Sequence, residues 1–240
     1  LLKKLRVGLM IAIASTVMFL VFTGEPRRLL ASIAIGIAVW VMFSSLQTLG
    51  SRMMHMSAGK RSLATIPRGF YGMTLAHIGI GVFIIGVTLV SSFNVEKDLR
   101  MELGDQVNIG GYVFSFHGAK AHTGPNYQAR RGIVEVFRDQ RHVVTLRPEK
   151  RTYRAQSNPM TEAAIDAGLF RDLYVSLGEP LDNGAWSVRI YYKPFIRWIW
   201  MGPLLMAFGG LLAATDRRYR VAIRGKVSTA AGQVAIPATS

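Results

Sequence analysis

Apolar residues along this chain fall into two regimes. Four long blocks are almost free of charge: Val7 to Phe22, Leu29 to about Leu46, Gly69 to Ser92 and Phe195 to Thr215. Each is near the roughly 20 residues that a helix needs to cross a bilayer at about 1.5 Å rise per residue. Between the third and fourth blocks the period changes to two. Tyr112, Phe114 and Phe116 alternate with Val113, Ser115 and His117, just after Gly110-Gly111. Ile133 to Arg138 and Val143 to Arg147 flank Asp139-Gln140-Arg141-His142 as a hairpin would. Leu173, Val175 and Leu177 alternate in the same way, as do Trp186, Val188, Ile190 and Tyr192 after Asp182-Asn183-Gly184.

The pattern predicts an α-helical integral membrane protein with four spans and an inserted extracytoplasmic β domain. That domain is small and antiparallel, with five to seven short strands, in a barrel or a sandwich; an OB-like barrel is one form it could take. Residues 1–46 form a helical hairpin turning at Thr23 to Arg28, and 47–68 a basic cytoplasmic loop, helical in part. Residues 69–92 are the third span, 93–195 the β domain and 196–215 the last span, and 216–240 a basic, then disordered, tail. Met160 to Ala167 reads as one short helix.

Charge distribution sets the orientation and removes one class of function. The net charge is +15, which by itself invites a nucleic-acid reading. Residues 93–195, however, hold 14 basic and 12 acidic side chains, so all but two of the excess positive charges lie beside the apolar blocks. That placement follows the positive-inside rule and is not the footprint of a module that binds nucleic acid. Lys3, Lys4 and Arg6, the 47–68 loop, and Arg217, Arg218 and Arg220 then share the cytoplasmic side, and Arg27 and Arg28 dissent. Trp198 and Trp200, with Arg197 beside them, mark the interface at the start of the last span. The chain has no cysteine, so it offers neither a disulfide nor a thiolate nucleophile. It starts without methionine in mid-pattern, as one piece of a longer protein would.

One titratable residue stands inside a span. His77 lies roughly 12 Å along the helix axis from Arg68, and an ionisable group at that depth is costly and rare. Met73, Ile80 and Gly81 share its face. Gly72, Ala76, Gly79 and Gly86 form a neighbouring stripe of small residues, open to a second helix or to a flat ligand. The imidazole could ligate a planar cofactor or hydrogen-bond a neighbouring helix, and the segment alone leaves both open. His55, His117, His122 and His142 lack ligand spacing and read as solvated or edge residues. No phosphate loop, nucleophile elbow or zinc motif is present, and the Gly-Ile-Gly beside His77 follows no strand.

The segment Arg68-Gly69-Phe70-Tyr71-Gly72-Met73-Thr74-Leu75-Ala76-His77-Ile78-Gly79 resembles the Gly-Met-x-Leu-Ala-His-x-Gly helix of the CcmF/NrfE family, the haem lyases of bacterial cytochrome c maturation. Trp186 to Gly202 is similar to that family's junction between periplasmic domain and last helix, and the order of elements matches its C-terminal part. The resemblance implies attachment of haem vinyl groups to the Cys-x-x-Cys-His thiols of an apocytochrome c. It implies that His77 is an axial ligand to a resident haem b, with Met73 and Gly81 packing on it. The family's tryptophan-rich loop, its two periplasmic histidines and its second transmembrane histidine have no counterpart here. The second axial ligand would thus come from outside this chain, which alone would be inactive. The partners implied are apocytochrome c, a haem chaperone and other maturation subunits, the N-terminal part of the same protein and the bilayer of the bacterial inner membrane. The alternative is a non-catalytic membrane scaffold whose β domain docks a partner protein.

Overall fold

The computed structural model describes residues 2–25, 28–54, 66–155 and 158–216. His55, the stretch 55–65 and the tail 217–240, for which the sequence suggests a solvated histidine, a basic loop and disorder, lie outside the described residues. The chain divides into two compact units, residues 1–85 with 199–240, and residues 86–198.

Among the described residues four helices are long and apolar enough to cross a membrane: α1 (Leu2–Thr23), α2 (Leu29–Met54), α3 (Arg68–Phe93) and α4 (Ile196–Ala214). α1 stops where Gly24 turns left-handed (φ 63°) and its N–H reaches the Leu20 carbonyl, an end that glycine accepts without steric cost. α2 runs eight residues past Leu46, so the first part of the basic segment is helix. Gln47 to Met54 contains no proline, and the hydroxyls of Thr48 and Ser51 bond back to the Ser44 and Thr48 carbonyls within the helix. Arg52, in its last turn, places its guanidinium 4.8 Å from the centre of the Phe70 ring.

Residues 86–198 carry ten strands, more than the alternation alone reveals. They are β1 (Val95–Met101), β2 (Gln106–Ile109), β3 (Tyr112–Thr123), β4 (Tyr127–Arg138), β5 (Arg141–Leu146), β6 (Glu149–Tyr153), β7 (Met160–Glu162), β8 (Ala164–Ala167), β9 (Arg171–Pro180) and β10 (Trp186–Pro194). One sheet runs β1-β10-β9-β8. The other runs β2-β3-β4-β6-β7, with β5 paired to the far end of β4. Two separately paired sheets make a sandwich, so of the forms open from sequence the closed OB-like barrel is not the one adopted. The alternating residues fill the space between the sheets: Phe114, Phe116, Val134 and Val136 face Leu173, Val175, Leu177, Val188 and Ile190, all fully buried.

Two expectations change. Asp139 and Gln140 (φ 50° and 61°) alone form the β4–β5 turn, with Arg138 paired to Arg141, so the loop is two residues and not four. Met160 to Ala167 is not a helix. Met160–Glu162 pairs with β6, Ala164–Ala167 pairs with β9, and the chain passes from one sheet to the other at Ala163. The alanines favour helix locally, but backbone pairing to two open sheet edges outweighs that preference.

Candidate functional site

α3 begins under a carboxylate supplied from the far end of α4. Asp216, buried at 7% exposure, accepts the Gly69 N–H at 2.8 Å. This satisfies one of the donors that every helix leaves unpaired in its first turn and places negative charge at the positive end of the helix. The contact fixes where the His77 helix starts.

Three faces of α3 then have different neighbours. Gly72, Ala76 and Gly79 meet α4, whose Gly202 and Gly209 sit against them. A Cβ on Gly79 would lie 2.7 Å from the Gly202 carbonyl oxygen, and one on Gly209 would lie 2.5 Å from that of Gly72. The stripe of small residues is therefore used for helix packing, backbone against backbone. Gly81 meets α2, where Met42 covers it and the Ala38 carbonyl is close. The Met42 side chain thus stands in the space beside Gly81, where the sequence leaves room for a cofactor. The third face, with Met73, His77 and Ile80, is covered by no helix among the described residues, and Met73 and Ile80 are 43% and 37% exposed.

His77 makes one hydrogen bond among the described residues, from Nδ1 to the Met73 carbonyl oxygen at 2.7 Å. A carbonyl only accepts, so Nδ1 carries the proton, and in the neutral ring the lone pair stands on Nε2. The same bond orients the ring and raises the basicity of Nε2, which is how a ligating histidine is commonly held. The alternative role, joining neighbouring helices, finds no partner on α2 or α4. Among the described residues no group of three or more His, Cys, Asp or Glu could hold a metal ion.

The other described histidines lie on the β domain, His117 and His122 on β3 and His142 on β5. His117 pairs with Glu135 at 3.3 Å, and His142 meets the Thr145 hydroxyl at 3.0 Å. His122 lines an open groove of about 680 Å³ with Arg130, Lys150 and Trp186, where Lys150 is ion-paired to Glu179. Sequence reasoning missed a denser cluster: Glu149, 4% exposed, sits between Arg131 and Arg151, the latter at 2.6 Å. Burial pushes the Glu149 carboxyl upward, but hydrogen bonds from Arg151 and Arg131 outweigh it and leave it below its ordinary value. The only signal was Glu149 in a run of basic residues, which reads equally well as a solvated face.

A family profile described as the CcmF C-terminal beta-sandwich matches residues 92–194. Over 198 residues the chain is 52% identical to the cytochrome c-type biogenesis protein CcmF of Pseudomonas aeruginosa, covering 82% of this chain and 30% of that protein. The CcmF of Escherichia coli is 41% identical over 222 residues, covering 91% and 33%. A solved structure titled cytochrome c heme lyase CcmF superposes with a TM-score of 0.73 at 18% identity, over 90% of this chain and 35% of that one, and so shares the fold. The chain spans about a third of the length of the curated relatives it matches. From these likenesses and the sandwich between its third and fourth helices, the chain belongs to the CcmF family of cytochrome c-type biogenesis proteins and corresponds to their C-terminal part.

Proposed function

We propose that this chain serves the covalent attachment of haem to apocytochrome c, and that His77 supplies one axial imidazole to a resident haem b. The observation that carries the reading is the Nδ1–H bond to the Met73 carbonyl, which leaves Nε2 with its lone pair on a face of α3 that no helix among the described residues covers. Met73 and Ile80, on either side, offer apolar surface to the edge of a macrocycle and keep water from Nε2. Gly72 and Gly79 hold α3 against α4, so the imidazole is presented from a fixed backbone. A bound haem b supplies one-electron transfer, in the role of keeping the iron of the substrate haem reduced. The second axial ligand comes from outside this chain. Thiols are the substrate's contribution, since the chain has none.

The reading extends to the setting. The protein crosses the bacterial inner membrane four times with residues 93–195 on the periplasmic side and its C-terminus in the cytoplasm. Apocytochrome c, a haem chaperone and further maturation subunits are its partners. Support comes from the basic flanks of the apolar blocks and from the names of the relatives. The test is the absorption spectrum of the intact protein with His77→Ala. Loss or strong weakening of the b-type Soret and α bands is expected, with the β domain still folded by circular dichroism. An unchanged spectrum refutes ligation by His77.

A further inference from the structure

We infer that the β8–β9 hairpin tip, Ile165 with Gly168, Leu169 and Phe170, is a membrane-docking element that inserts into the headgroup–acyl boundary beside the start of α4. The hairpin is closely held: Ala167 pairs with Asp172, and the Gly168 N–H bonds both the Arg171 carbonyl at 2.9 Å and the Asp172 carboxylate at 3.0 Å. Yet its three large apolar side chains point outward, with Ile165 and Leu169 55% exposed and Phe170 58% exposed. An apolar tip on a rigid turn marks a surface that something covers.

What covers it follows from what the tip touches. Pro194, the last residue of β10, pairs with Arg171, and the Phe195 N–H donates to the Phe170 carbonyl at 2.8 Å. Phe195 then turns left-handed (φ 55°), and α4 begins at the next residue. The Phe170 ring stands 5.8 Å from that of Phe195 and 6.4 Å from that of Trp198, in the first turn of α4. If α4 spans the membrane, Trp198 and Trp200 mark the level of the interface, where tryptophan is enriched. A side chain stacked on Trp198 lies at that level. Arg197, about half exposed and 3.4 Å from Asp172, places a guanidinium group where anionic headgroups lie. Apolar tip, aromatic collar and an exposed arginine beside them are the composition of an interfacial anchor. The inference rests on α4 crossing a membrane and not on the role of His77.

The experiment uses single cysteines at Leu169, Phe170 and, as a reference on the β4–β5 hairpin, Val143, on a cysteine-free background of the intact protein. Each is spin-labelled and reconstituted in nanodiscs of phosphatidylethanolamine and phosphatidylglycerol. Collision with oxygen, which concentrates in lipid, is compared with collision with a water-soluble nickel chelate. The expected result is an oxygen-to-nickel ratio at 169 and 170 at least severalfold above that at 143. A ratio equal to that at 143 means the tip stands in water and overturns the inference. Low collision with both reagents means that protein covers the tip and overturns it equally. Haem absorption, read on the same samples, reports on the His77 reading separately.

Discussion

At position 77 a polar ring is held by its own helix: the Met73 carbonyl accepts the Nδ1–H, and the lone pair stands on Nε2. The histidine and its face were legible in the sequence, because spacing along one helix is a local property. That Met73 stays open while Gly81 is covered was not, because Met42 reaches Gly81 from a different helix. Glu149 shows the same limit. Its two arginines lie on strands β4 and β6, and only the pairing of Arg131 with Glu149 brings them together. Its folded titration lies below the ordinary 4.5, so its stabilising effect is complete above that pH and lost as pH falls through the lower folded value. Glu149→Gln should cost roughly 2–3 kcal/mol, because in a largely buried site Arg131 loses its counter-charge and Arg151 is left with Glu162 at 3.7 Å. It should also flatten the acid limb of stability. Hydrogen exchange of Tyr127–Arg131 and Glu149–Tyr153 between pH 3 and 7 reads both effects, and an unchanged acid limb in the variant contradicts the assignment.

At the level of the elements, α3 and α4 meet through backbone, and neighbouring glycines of α4 separate that contact from helix propensity. Gly209 faces the Gly72 carbonyl and Ala76, whereas one residue on, Gly210 has nothing within 4 Å of where a Cβ would stand. Gly209→Leu should therefore destabilise the helix pair by about 1–3 kcal/mol or more, because backbone atoms cannot move aside cheaply. Gly210→Leu should be neutral or slightly stabilising, since leucine is the better helix former. Unfolding in mixed micelles with rising dodecyl sulfate measures both, and equal effects would contradict the packing described. The strands behave differently from the spans. Alternation marked the core strands β3, β9 and β10 directly, as a buried face demands. β7 and β8 gave no such signal, because short edge strands of mixed exposure exist only through the neighbours they pair with.

For the whole molecule, the proposed orientation puts the β domain outside and the end of α2 inside. Single cysteines at Val143 and Met54, both exposed, test it with a membrane-impermeant maleimide. Position 143 should label in intact spheroplasts and position 54 only after permeabilisation, and the reverse pattern would invert the topology. Four segments long and apolar enough to cross a membrane, the β domain between the last two and the histidine within the third were determined by the sequence alone. Hydropathy, period and charge act over a few neighbouring residues, so a linear reading captures them. Only the tertiary structure decided which face of α3 stays open, that the sheets form a sandwich, and that Asp216 caps α3 through the Gly69 N–H, 147 residues earlier in the chain. Each depends on which surfaces meet across long stretches of chain, and local pattern carries no record of that.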